Sequence, residues 1–145
     1  MRYEADFINR FQPLIEEYKL NYKVISEEEL ALFGSNFSLV FLIHFDEVSL
    51  NYVCRDKDNS LVSYDVWSYF LHVFADKDRE NLPKYNSVRE RVDVSFLILA
   101  RGLPRHWNNV LNGDDKWLEA YKQYKLAGVP RKVIGHLKDS LSLNI

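Results

Sequence analysis

The stretch NFSLVFLIHFDEVSLNYVCRDKD, Asn36–Asp58, holds the densest apolar run in the chain. Between Phe37 and Phe45 the odd positions Phe37, Leu39, Phe41, Ile43 and Phe45 are all apolar, and Val40 and Leu42 make the even positions partly so. An extended strand turns successive side chains to opposite faces. One face of this segment is therefore fully apolar and the other partly apolar, the pattern of a strand in the centre of a sheet or beneath a layer of helices. Next, VSLNYVCR alternates cleanly, with Val48, Leu50, Tyr52 and Cys54 set against Ser49, Asn51, Val53 and Arg55, which reads as a half-buried strand. Between the two strands lie Asp46 and Glu47, a polar connection of hairpin length. RDKDNS makes a second turn, and Leu61–Tyr64 begins a third strand.

Working outward, the N-terminal segment places Phe7, Phe11, Leu14, Ile15 and Tyr18 at helical spacing, with Pro13 inside the pattern as a kink or a fresh start. Tyr22–Ile25 suits a short strand. In the SEEEL that follows, Ser26 and Glu29 have the spacing of a capping box that opens a helical turn, and the same residues suit a charged edge strand or an acidic loop. Beyond Tyr64 the period becomes helical. Val66, Trp67, Phe70, Leu71 and Phe74 form one stripe, with Ser63 available to cap it. After ADKDREN and Pro83, Ser87 caps a second helix that lines up Val88, Val92, Phe96, Leu99 and Leu103 and ends or kinks at Pro104. Asp114 and Asp115 suit the positive end of a third helix carrying Trp117, Leu118, Tyr121 and Tyr124, and a short C-terminal helix follows in PRKVIGHLKDSL. Strands grouped together rather than alternating with helices predict an α+β domain spanning residues 1–145. Its antiparallel sheet has about three strands within residues 22–64, packed by an N-terminal helix and several C-terminal ones.

A chain of 145 residues with 47% hydrophobic side chains, five Gly and four Pro is one domain with material for a full core. The charged N-terminal stretch has no signal-peptide character, and no apolar run approaches the ~20 residues that span a bilayer. With its single cysteine, Cys54, the chain is expected to be cytoplasmic and not a membrane protein. The net charge of −2 is unevenly placed: residues 1–58 carry eleven acidic and six basic side chains, and the remainder ten and thirteen. Neither part has the domain-wide basic excess of a nucleic-acid binder. The arginines Arg89, Arg91, Arg101 and Arg105, with Arg131 and Lys132, are the one stretch that suits such a role.

Chemistry is sparsely signalled. His44, Asp46 and Glu47 cluster in sequence, and on a strand His44 and Asp46 would share a face. The other imidazoles, His72, His106 and His136, lack ligand spacing, so the hairpin-turn reading is preferred to a metal site. Cys54 falls on the apolar side of its strand, the setting of an inert thiol. No nucleophile elbow, phosphate loop or dinucleotide fingerprint is present. The chain is read as a non-enzyme that needs no cofactor.

The strand–turn–strand SLVFLIHFDEVSLNYV and the aromatic helix SYDVWSYFLHVFADKDRE, in a small acidic-leaning chain rich in Tyr and Phe, resemble bacterial immunity proteins of contact-dependent inhibition and other polymorphic toxin systems. The resemblance is one of general character and carries no residue motif. It implies tight binding to one cognate toxin domain, covering an active site that is often that of a basic nuclease. Glu27, Glu28, Glu29, Asp46, Glu47, Asp56 and Asp58, all at expected loops or turns, are the candidate partner-binding residues. Two alternatives stay open: a nucleic-acid or regulatory interaction module, and a small hydrolase using His44 with Asp46 or Glu47.

Overall fold

The apolar strand at the centre of the sequence is also at the centre of the sheet. The computed structural model describes residues Met1–Ile145. Helix α1 (Glu4–Tyr18) leads into the strands β1 (Asn21–Ser26), β2 (Glu29–Phe33), β3 (Ser38–His44), β4 (Glu47–Arg55) and β5 (Leu61–Asp65). There follow α2 (Trp67–Leu71), a 3-10 turn at Asp76–Arg79, α3 (Val88–His106), α4 (Asn108–Leu111), α5 (Trp117–Lys122), β6 (Arg131–Lys132) and α6 (Gly135–Leu141). All six strands form one antiparallel sheet in sequence order. The expected α+β architecture is present, but the sheet is twice as wide as the three strands predicted.

Two of the additional strands, β2 and β6, have separate physical causes. β2, ELALF, consists largely of good helix formers and is buried on both faces, so it shows neither β propensity nor alternation. It is extended because β1 and β3 pair with it on both sides, Leu30 with Val24 and Phe41. β6 is two residues long and pairs Lys132 with Val62 and Arg131 with Ser63. The C-terminal helix therefore starts only at Gly135, whose φ of +66° turns the chain at the helix's first residue. Ser63, expected to cap a helix, belongs to β5, and α2 stops after five residues. Ser87 caps α3 as its sequence suggests, its Oγ accepting from Glu90 N at 3.1 Å. Pro13 and Pro104 both sit inside helices that continue past them.

Odd positions of β3 (Leu39, Phe41, Ile43) join Leu50 and Tyr52 of β4 in a large core beneath the helices. On the opposite face Val40 joins Ile25, Ala31, Val53 and Leu61 in a smaller core capped by Leu141 of α6, while Leu42 and His44 stay exposed. α1 and α3 lie side by side over the larger core. Arg10 donates twice to Asp93, at 3.0 and 2.8 Å, joining the two helices. The residues between α2 and α3 are strapped to α3. Phe74 packs on Gly102, where an added Cβ would lie 2.2 Å from its ring. Gly102→Ala is expected to lose about 1–2 kcal/mol, because crowding outweighs the gain in helix propensity. Urea denaturation would detect the shift, and an unchanged midpoint would show that Phe74 moves aside freely.

Candidate functional site

A meander places alternate turns at the same end of its sheet, so the turns β1–β2 and β3–β4 adjoin each other. Ser26 pairs with Glu29 to close the first hairpin around Glu27 and Glu28. The Ser26 hydroxyl donates to Glu29 Oε1 at 3.0 Å and accepts from Glu28 N at 3.3 Å. Ile43 N donates to Glu28 O at 2.8 Å, which ties this tip to β3. His44 pairs with Glu47 to close the second hairpin around Phe45 and Asp46, one residue earlier than the polar pair predicted from sequence. Glu27, Glu28, Glu29, Asp46 and Glu47 thus share one end of the sheet. Asp56 and Asp58 lie at the opposite end, in the β4–β5 turn. There Asp56 Oδ1 accepts from Asp58 N and Ser60 N at 2.9 and 3.0 Å, so its carboxylate serves the turn itself.

The shared end is not uniformly negative. Arg91 lies 3.3 Å from Asp46 and 5.7 Å over the Tyr85 ring, and the Met1 amino group is 3.6 Å from Glu27. Between the tips is a depression of about 430 Å3 whose lining includes Arg2, Glu27, Glu28, Ile43, Phe45 and Val88. Phe45 was expected as the last inward residue of its strand. It is instead 77% exposed, because the two-residue turn ends the alternation at His44. A hairpin closure at His44–Glu47, rather than at Phe45, is the signal that would have revealed it.

His44, Asp46 and Glu47 also border a second depression of about 440 Å3, beside Trp67, Arg91 and Ser95. The His44 ring lies against Phe45, with centroids 4.5 Å apart, and Asp46 faces Arg91. Glu47 is the cross-strand partner of His44, but no hydrogen bond joins the imidazole to Glu47 or Asp46. No group of three or more His, Cys, Asp or Glu side chains gathers where a metal ion could be held. Four of the arginines considered for nucleic acid are engaged within the chain, whereas Arg131 and Lys132 are exposed on β6. Arg89 pairs with Asp6 at 2.9 Å, Arg91 with Asp46 and Arg105 with Asp78, while Arg101 donates to the Glu80 carbonyl at 2.6 Å.

The largest cavity, about 720 Å3, opens at the other end of the sheet, with Tyr52, Cys54 and Tyr64 on its floor and Lys57, Asp115 and Lys122 on its rim. Burial, reinforced by Asp115, pushes the Cys54 thiol up to about 11, so it stays protonated at neutral pH and is a poor nucleophile. Trp117 is buried nearby, edge to face with Tyr52 at 4.7 Å.

One buried charge had no signal in the sequence. Asp78, in the 3-10 turn, is fully buried. It accepts from Ala75 N and His106 Nε2, both at 2.8 Å, and from the Arg105 guanidinium. Burial opposes its ionisation, yet these donors prevail and hold the carboxyl below its usual range. In the sequence it is one of several charges in ADKDREN, a segment read only as the end of a helix.

No helix is long and apolar enough to cross a membrane. No family model, curated protein or solved structure matches the chain.

Proposed function

We propose that this protein is a non-enzymatic inhibitor of the immunity-protein kind, which binds one toxin domain and covers its active site with the end of the sheet formed by the β1–β2 and β3–β4 tips. One observation carries the reading: two hairpins separate in sequence bring Glu27, Glu28, Asp46 and Glu47 to the same end, where both glutamates of the first tip and Glu47 of the second are exposed. Carboxylates on projecting turns raise the rate at which a positively charged partner finds its docking geometry, more than they raise final affinity. A nuclease active site, which must attract phosphates, is such a partner.

The test is to co-express this protein with basic nuclease toxin domains, beginning with any that an adjacent reading frame proves to encode, and to follow protection with binding kinetics. The wild-type protein restores growth. Glu28→Lys together with Glu47→Lys slows association by about tenfold at low salt, and the difference shrinks as ionic strength rises. Asp56→Lys with Asp58→Lys, at the far end, leaves association unchanged. Failure of the wild type to protect, or equal association of the tip variant, would overturn the proposal.

A further inference from the structure

We infer that Phe45 is the anchor of this surface, and that the partner presents an apolar cleft rimmed by lysine or arginine side chains into which the hairpin tip inserts. The inference rests on the immunity reading and adds the chemistry of the contact. Phe45 occupies the first position of a two-residue turn with φ of +57°. Turns of this length favour Gly, Asn or Asp at such positions, and a bulky aromatic in the left-handed region is an outlier. Its ring is nevertheless 77% exposed, so core packing does not account for the choice of residue. Backbone strain of this kind persists where the surrounding structure enforces it.

Phe45 is not alone. Val88, across the same depression, is 51% exposed, and Tyr85, beside the Arg91 that reaches Asp46, is 48% exposed. At the margin Glu27 pairs with the Met1 amino group and Asp46 with Arg91, which leaves exposed Glu28 and Glu47 against Arg2, a rim that stays acidic on balance. An apolar centre within a charged rim is the anatomy of a protein-binding hot spot, in which a few aromatic anchors dominate. The rim selects among occupants. Its carboxylates repel an anionic lipid surface, and they would face one another across a symmetric contact with a second copy. A cationic protein surface satisfies both the centre and the rim.

Phe45→Asn separates anchoring from folding, because Asn tolerates positive φ. The variant is expected to melt no lower than wild type while binding the toxin domain that wild type neutralises at least about tenfold more weakly. Wild-type affinity in the variant overturns the inference and leaves the immunity reading standing. A lowered melting temperature makes Phe45 a packing residue and also overturns it. A wild-type protein that binds none of the toxin domains removes the immunity reading and this inference with it. Sedimentation with phosphatidylserine vesicles should leave the protein in solution, and co-sedimentation abolished by Phe45→Asn would assign the tip to lipid instead.

Discussion

Asp78→Ala is expected to destabilise the protein by about 3 kcal/mol, one of the two largest losses foreseen for a single substitution. The carboxylate is fully buried and accepts from Ala75 N, His106 Nε2 and Arg105. Removing it leaves the Ala75 N–H without its partner and two cation-forming side chains facing an empty site. Arg105 and His106 are partly exposed and can regain some water, which keeps the loss near the low end for a broken buried pair. Arg101, which donates to the Asp78 and Glu80 carbonyls, loses its fixed partners as the strap loosens. Asp78→Asn should lose nearly as much, since its amide N–H2 would point at other donors. Urea denaturation followed by the fluorescence of the three tryptophans measures both variants.

The same site sets an acid limit. The Asp78 carboxyl titrates lower in the folded protein than in the unfolded chain. Its contribution is therefore complete above the unfolded value of about 4 and is lost as pH falls through the lower folded value. Wild type should lose stability on acidification below about pH 4 more steeply than Asp78→Asn, and the gap between them should narrow there. Parallel curves for the two proteins would contradict the assigned role.

Phe7→Ala is expected to lose about 4 kcal/mol. Phe7 is fully buried where α1, β3 and α3 converge. Its ring stacks on Phe11 at 4.5 Å and meets Phe41 and Phe96 nearly edge to face at 5.1 and 5.3 Å. Truncation removes the transfer energy of the ring and leaves a cavity walled by rigid aromatic neighbours, which collapse poorly. Phe7→Leu fills part of that space and should lose less. Denaturation midpoints read both, and a loss below about 1 kcal/mol for alanine would mean that the cluster repacks around the gap.

Much of the fold was legible where one element's own residues specify its surroundings. The alternation in β3 and β4, the helical stripe of α3 and the Ser87 cap report burial or capping within a few residues, and each appears in the structure as expected. β2 and β6 were illegible for complementary reasons: the first is buried on both faces and built of helix formers, and the second is too short for any pattern. Val88 fits the periodic stripe of α3 yet points outward, because the helix begins there, at the margin of the sheet.

The candidate site divides in the same way. That Glu27, Glu28, Asp46 and Glu47 occupy turns follows from local polarity. That they adjoin, while Asp56 and Asp58 lie at the far end, follows only from strand order.

What the sequence by itself determined is the fold class, α+β with a central apolar strand, because side-chain periodicity and capping act over a few residues. Tertiary structure alone decided the five pairings of the six-stranded sheet, the burial of Asp78 against Arg105 and His106, and the outward projection of Phe45 beside Val88. Each of these depends on which distant segment lies alongside, and the free energy of that contact is absent from either segment considered alone.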